Sequence, residues 1–131
     1  NRYYSEIGIG LDFTARDIQK DCKEKGLPWE KAKAFDHSAP VSHKFIPISE
    51  FDNHHAIEFR LEQNGIIVQK GNTKDMIFSI DELISYVSKY FTLKIGDLIF
   101  TGTPAGVGPV KIGDNLQAFV GNQQLLKIDI K

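Results

Sequence analysis

The sequence predicts a mostly β, α+β domain in which antiparallel strands outnumber two short helices. Residues 56–71, AIEFRLEQNGIIVQKG, alternate apolar and polar side chains around an Asn-Gly pair, which is typical of a β-hairpin. Helical periodicity is confined to two short segments, and no regular alternation of strands and helices indicates a parallel sheet. The 131 residues suit one domain, residues 1–131, large enough to bury a core.

The chain opens with a predicted strand inside the segment YYSEIGIGLDF, residues 3–13, and we expect this strand to end at Asp12. Its apolar residues alternate with Gly8 and Gly10, so the two glycines share one face of the strand. Because this pattern is already in progress at the first residues, we expect further residues to precede it in the complete protein.

The segment from Thr14 to Gly26 predicts the first helix. Thr14 and Asp17 have the spacing of a capping box, and Gly26 suits the position just after a helix end. Arg16 and Gln19 are three residues apart, so they lie on the same helix face.

The second predicted helix covers residues 79–91, SIDELISYVSKYF, with Ser79 and Glu82 as a candidate capping box. Between the two helices, residues 27–51 are predicted to be rich in loops because prolines interrupt regular structure.

The four letters KIGD occur twice, at Lys94–Asp97 and Lys111–Asp114, each time before a strand-like run. We interpret both copies as turns, since Gly-Asp is common turn chemistry.

Residues 100–109, FTGTPAGVGP, form a glycine-rich loop that the common phosphate-binding motifs do not explain. A P-loop needs a Gly-Lys-Ser/Thr ending, and a dinucleotide fingerprint needs a glycine where Lys111 stands. Zinc-ligand spacing is also missing, because the chain has one cysteine and four scattered histidines.

Composition excludes several partners. A formal net charge of −1 gives no electrostatic reason to expect nucleic acid or an anionic membrane. The sequence shows neither an apolar run of membrane-spanning length nor a signal-peptide pattern. With Cys22 as its only cysteine, the chain has no internal disulfide, and we expect a cytoplasmic protein.

Three residues stand out as candidate functional groups. Asp12 ends a glycine-containing strand just before a helix, where it either makes turn interactions or is held rigidly for function. Arg16 is a cation in the first helical turn, where the helix dipole opposes positive charge by ~0.3–1 kcal/mol. It is either tolerated there or kept near an anionic group. Lys33 lies among apolar neighbours in WEKAKAF, as a solvated surface lysine or a functional one.

These stretches resemble the fumarylacetoacetate hydrolase family, in family order and over nearly the whole chain. The resemblance is carried by GLDFTARDIQ, KGLPWEKAKAFD, DMIFSIDELISYVSKYFTLKIGDLIFTGTPAGVG and VKIGDNLQAFV. The sequence is most similar to the branch that acts on acylpyruvates and oxaloacetate. The implied fold is a mixed β-sandwich roll of the family's C-terminal type.

The resemblance implies a divalent metal held by three carboxylates: magnesium, with manganese or calcium as alternatives. Asp12 matches the third of these ligands. The other two, a pair of glutamates, lie upstream of this aspartate in the family, as does a histidine–glutamate pair that activates water. Here Glu6 is the only acidic residue before Asp12.

The same resemblance assigns the substrate contacts. Arg16 and Gln19 match residues that line the cavity, and Lys33 matches the lysine that polarises the substrate. Gly102 and Thr103 match the loop that grips a carboxylate or oxo oxygen.

The implied function is metal-dependent hydrolysis of a C–C bond in an acylpyruvate or fumarylacetoacetate-type 2-oxo acid. Oxaloacetate decarboxylation and isomerisation of an unsaturated dioic acid are alternatives within the family. A non-catalytic binding or oligomerisation domain is an alternative of another class. The expected partners are a small 2-oxo acid and a second copy of the chain in a homodimer.

Overall fold

The computed structural model describes residues 3–131. Its strands are β1 (Glu6–Ile7), β2 (Ile46–Pro47), β3 (Glu58–Gln63), β4 (Ile66–Asn72), β5 (Asn115–Val120) and β6 (Gln123–Asp129). Its α-helices are α1 (Arg16–Glu24), α2 (Glu30–Lys33) and α3 (Ile80–Val87), and short 3-10 turns cover Ile48–Glu50 and Thr73–Asp75. The predicted mostly β, α+β architecture is confirmed.

The main sheet has four antiparallel strands in the order β4-β3-β5-β6. The predicted hairpin is its β3–β4 pair. Asn64 and Gly65 both have positive φ, 53° and 79°, as the two central residues of a type I′ turn require. The register shifts by one residue between Leu61 and Glu62, because Val68 on β4 is an extra residue there and forms a β-bulge.

The first strand is much shorter than the sequence predicts. Within this segment, regular pairing is limited to β1 with β2. Residues 8–13 then run beside residues 38–42 and are joined to them by individual backbone hydrogen bonds. The glycines of this segment accommodate aromatic rings. A Cβ on Gly8 would lie 2.6 Å from the ring of Phe45, and a Cβ on Gly10 would lie 2.7 Å from the ring of Phe100.

The helices follow the predictions in part. The capping box of α3 forms as expected, since Ser79 Oγ accepts from Glu82 N and the Glu82 carboxylate accepts from Ser79 N. Helix α3 ends at Val87, before the predicted end at residue 91. The capping box predicted for α1 is wrong: Ala15 is the N-cap and no side chain caps the helix.

A third α-helix, the single turn α2, forms inside the segment that the prolines predicted to be loop. It is anchored by Ala32, which is fully buried and whose carbonyl accepts from Ala15 N at 3.0 Å. This bond ties α2 to the start of α1.

Both KIGD copies form the predicted turn. Asp97 and Asp114 each accept from the backbone N–H of the lysine three residues earlier, and Gly96 and Gly113 have φ of 95°. The run at residues 98–100 that the sequence predicts to be strand-like is not a strand, because within residues 3–131 it pairs with no neighbouring strand.

The core lies on one face of the main sheet, where side chains from the sheet meet β1 and β2. Its buried residues are Ile46, Ile57, Val120 and Leu125, with Ile7, Ile9 and Phe51 packed against them. None of the helices within residues 3–131 has both the length and the apolar character that crossing a membrane requires.

Candidate functional site

A cavity of about 1430 Å³ opens between the N-terminal segment, the β3–β4 hairpin and the glycine-rich loop. This is larger than the roughly 300–1,000 Å³ of an ordinary small-molecule pocket. Its lining combines apolar side chains, among them Phe59, Leu61 and Ile84, with polar groups from residues 12–17, Lys33 and residues 101–103. A small polar ligand would fill only part of this volume.

Asp12 and Lys33 meet at the wall of this cavity. Lys33 Nζ donates to Asp12 Oδ2 at 2.5 Å and to Thr14 Oγ1 at 2.8 Å. The side chains of Lys33 and Asp12 are 31% and 47% exposed, so the pair lies at the wall of the cavity. Helix α2 carries Lys33 to this position, because the buried Ala32 fixes the helix against α1. Lys33 is therefore held in place and is not a freely solvated surface residue.

Arg16 also borders the cavity, from the first turn of α1. Its Nη1 donates to Gln19 Oε1 at 3.0 Å, as their shared helix face predicts. Gln19 is buried and lies behind Arg16, and it is not among the residues that border the cavity. The contact holds the guanidinium at a helix end where the dipole opposes a positive charge.

The glycine-rich loop forms the opposite wall. Gly102 and Gly106 have φ of 115° and 101°, a region that favours glycine. Gly106 has a second reason to be glycine, since a Cβ there would collide with the carbonyl oxygen of Val68. Next to this contact, Gln69 Nε2 donates to Thr103 Oγ1 and to Pro104 O, each at 2.9 Å.

A divalent metal at the cavity would find one suitable ligand among the residues present. Asp12 fits as one ligand, because a carboxylate at a cavity wall suits a hard divalent cation such as Mg²⁺. Within residues 3–131 there is no cluster of three or more His, Cys, Asp or Glu side chains that could hold a metal. The described residues therefore offer Asp12 as a single ligand, and a complete site needs further oxygens.

Nearly the whole chain matches the model of a known protein family. The model of the fumarylacetoacetate (FAA) hydrolase C-terminal domain matches residues 6–131. The chain belongs to the fumarylacetoacetate hydrolase family. This confirms the resemblance carried by the motifs around Asp12, Lys33 and the glycine-rich loop.

Two curated relatives are named for the same activity. The mitochondrial oxaloacetate tautomerase of Mus musculus is 47% identical over 129 residues, which are 98% of this chain and 58% of the relative. The oxaloacetate tautomerase of Escherichia coli is 53% identical over 110 residues, 83% of this chain and 50% of the relative. The chain thus spans between half and three-fifths of the length of these relatives.

Solved structures agree with the fold. A family protein from Yersinia pestis is 46% identical with a TM-score of 0.90, covering 97% of this chain and 58% of that one. The fumarylpyruvate hydrolase of Pseudomonas aeruginosa, solved with Mn²⁺ and pyruvate, is 37% identical with a TM-score of 0.88. That match covers 95% of this chain and 53% of the hydrolase.

Sequence reasoning missed two polar side chains that border the cavity, Thr14 and Gln69. Thr14 was assigned to a helix cap, while the structure places its hydroxyl against Lys33. Gln69 gave no signal in the sequence, because the regular register from the Asn64-Gly65 turn would pair it with Arg60, and only the bulge between Leu61 and Glu62 places it opposite Leu61.

Proposed function

We propose that this chain is one domain carrying part of the active site of an enzyme that interconverts the keto and enol forms of a small 2-oxo dicarboxylic acid, with oxaloacetate as the first candidate. The observation that carries the proposal is Lys33, held by Asp12 and Thr14 at the wall of the cavity that Arg16 and Thr103 also border. The 47–53% identity to two oxaloacetate tautomerases supports the choice of reaction.

Keto–enol interconversion moves a proton from the carbon next to the oxo group to the oxo oxygen, and the intermediate carries negative charge on that oxygen. The Lys33 ammonium would stabilise this charge, since preorganised donors aimed at a developing oxyanion contribute several kcal/mol. Arg16 would bind a substrate carboxylate, and Gly102 and Thr103 would hold the other end. Gln19 would act through Arg16, which it orients.

Charge at the cavity supports a role for a metal cation. The side chains bordering the cavity carry four positive and four negative charges: Arg16, Lys33, Arg60 and Lys94 against Glu6, Asp12, Asp17 and Asp97. The protein alone therefore gives a dianionic substrate no net attraction. A bound Mg²⁺, Mn²⁺ or Ca²⁺ would add the missing positive charge and stabilise charge on the substrate oxygens. We propose Asp12 as one of its ligands, with the upstream glutamates that the family resemblance implies as the others.

C–C bond hydrolysis of an acylpyruvate or fumarylacetoacetate-type 2-oxo acid is the second candidate, favoured by the 37% identity to a fumarylpyruvate hydrolase. It begins from the same bound 2-oxo acid and also develops charge on the oxo oxygen. Oxaloacetate decarboxylation shares this start as well. Tautomerisation is the first candidate because the relatives named for it are 47–53% identical to this chain, whereas the fumarylpyruvate hydrolase is 37% identical.

The test uses the full-length protein with magnesium or manganese, two substrates and three assays. Loss of the enol absorbance of oxaloacetate measures tautomerisation, pyruvate release measures decarboxylation, and loss of acetylpyruvate absorbance measures C–C cleavage. We expect the first reaction to be accelerated most and a chelator to abolish it. Faster cleavage of acetylpyruvate would favour the hydrolase, and no turnover with no metal binding would favour a non-catalytic domain.

We further propose a homodimer in a reducing compartment such as the cytoplasm. Large apolar side chains lie exposed on the surface, among them Ile77, Phe91, Ile95 and Ile112, and contiguous apolar surface commonly marks an interface. Cys22 is buried and free. The mass of the full-length protein in solution, measured by light scattering, tests the dimer.

A further inference from the structure

The side-chain amide of Gln69 is the one polar group on β4 that reaches the loop at Thr103. Its nitrogen lies 2.9 Å from both Thr103 Oγ1 and Pro104 O. Gln69 itself borders the cavity and is half-buried. The two bonds join the start of the glycine-rich loop to the centre of the hairpin.

The Pro104 carbonyl fixes which way this amide points. A carbonyl oxygen only accepts hydrogen bonds, so the amide must present its nitrogen on this side. An NH₂ group has two hydrogens, and the second one is directed to Thr103 Oγ1. The Thr103 hydroxyl is thereby the acceptor in this bond, and its own proton is left for another partner.

Thr103 donates this proton to no atom among residues 3–131, although its side chain borders the cavity. A hydroxyl that already accepts from an amide and keeps a directed proton is a donor suited to an anionic oxygen. Thr103 is exposed and borders the cavity, so an oxygen of a ligand bound there can take the place of water as the acceptor of this proton.

The backbone contacts place the loop on the same strand. Gly106 approaches the Val68 carbonyl so closely that no side chain fits between them. Gln63 Nε2 reaches Pro109 O at 3.3 Å from the adjacent strand β3. Of these contacts, the hydrogen bond from Gln69 is the one made to Thr103 itself.

We propose that Gln69 is a positioning residue. It sets the place of the loop at Thr103 and the direction of the Thr103 hydroxyl, so that this hydroxyl donates to an oxygen of a bound 2-oxo acid. The choice of a 2-oxo acid as occupant rests on the proposed function.

A double-mutant cycle on pyruvate binding tests this inference without requiring turnover. Gln69→Met keeps the length of the side chain and removes its donors, and Thr103→Val keeps the shape and removes the hydroxyl. In the full-length protein with manganese, each single variant should raise the Kd for pyruvate by about 3- to 10-fold in calorimetry, the range of one lost hydrogen bond. The double variant should be within about 2-fold of the weaker single one, because both changes remove the same contact.

Gln124→Met, at an exposed position on β6, is the matched control and should leave the Kd unchanged. A second readout is amide hydrogen exchange, which should become faster at residues 102–106 in Gln69→Met and stay unchanged in the control. This readout reports loop position whether or not the protein turns over a substrate.

The outcomes separate this inference from the proposed function. Additive losses in the double variant, or unchanged exchange at the loop in Gln69→Met, would overturn the inference. A wild-type protein that binds pyruvate with the expected coupling and yet turns over no 2-oxo acid would overturn the proposed function and leave the inference standing. A wild-type protein that does not bind pyruvate would overturn both.

Discussion

Lys33 Nζ lies 2.5 Å from Asp12 Oδ2, although 21 residues separate them in the chain. Both side chains are partly exposed, and such pairs contribute at most about 1 kcal/mol to stability. The importance of the pair is therefore its position at the cavity wall, where a cation and an anion are held at a fixed separation.

Lys33→Met should reduce turnover of the preferred 2-oxo acid by about 10²–10³-fold, the usual cost of removing one preorganised donor to an oxyanion. The melting temperature should change little, since the ion pair is partly exposed. Lys31→Met on the same helix is the control, because Lys31 is exposed and does not border the cavity. If Lys33→Met kept more than half of the wild-type rate, the lysine would be a surface residue without a catalytic role.

Asp12→Asn should weaken manganese binding to the full-length protein by at least about 10-fold, because a neutral amide replaces a charged oxygen ligand. Calorimetry with manganese alone measures this without substrate. Asp17→Asn is the control: Asp17 also borders the cavity, but its Oδ1 accepts from Ile18 N in the first turn of α1. Equal losses in both variants would contradict the assignment of the ligand to Asp12.

Gly106→Ala should destabilise the protein by about 1–3 kcal/mol and weaken pyruvate binding, because the left-handed backbone and the Val68 carbonyl both oppose a side chain there. Gly108→Ala lies two residues further in the same loop, without a left-handed φ and with nothing within 4 Å of its Cβ position. It should be close to neutral. Urea unfolding and pyruvate calorimetry on the two variants make the comparison, and similar effects would show that the contact with β4 is unimportant.

Asp114 should make stability depend on pH. Its carboxylate is buried, and the hydrogen bond from the Asn64 amide, followed by that from the Lys111 N–H, lowers its pKa below the ordinary 3.8. The folded state thus takes up the proton less readily than the unfolded state. The contribution of the ionised carboxylate to folding stability is complete above pH 3.8, and it is lost as the pH falls through the lower pKa of the folded state.

Asp114→Asn should lower the melting temperature at pH 7 and flatten its fall in acid, because the new amide cannot accept all three hydrogen bonds. Asp97→Asn changes the same turn in the exposed KIGD copy and should have a clearly smaller effect. The pKa of Glu82 is also lowered, by its bond from the Ser79 backbone N–H, but both variants keep Glu82. Melting curves of both variants from pH 3 to 7 test this prediction, and equal shifts in melting temperature would contradict it.

The features that the sequence predicted correctly depend on near neighbours in the chain. The turn at Asn64 and Gly65 needs two residues that tolerate positive φ, and the cap at Ser79 needs a glutamate three positions on. Both KIGD turns close within four residues as well. Hydrogen bonds of such short range are set by residue type and spacing, so patterns in one sequence are enough to predict them.

The features that it did not predict depend on residues far apart in the chain. The apolar run at 98–100 forms no regular strand because a strand also needs a neighbouring edge, and local pattern says nothing about one. Thr14 has the spacing of a cap, yet its hydroxyl contacts Lys33, which only the packing of α2 against α1 brings near.

By itself, the sequence determined the family, the hairpin, the α3 cap, the paired turns and the candidate residues Asp12, Arg16, Lys33 and Thr103. The tertiary structure alone decided that Lys33 is held by Asp12 and Thr14, and that the amide of Gln69 donates to the Thr103 hydroxyl. The physical reason is that such contacts join residues 19 to 34 positions apart. Their distances depend on how helices and strands pack together, which residue type and local spacing do not determine.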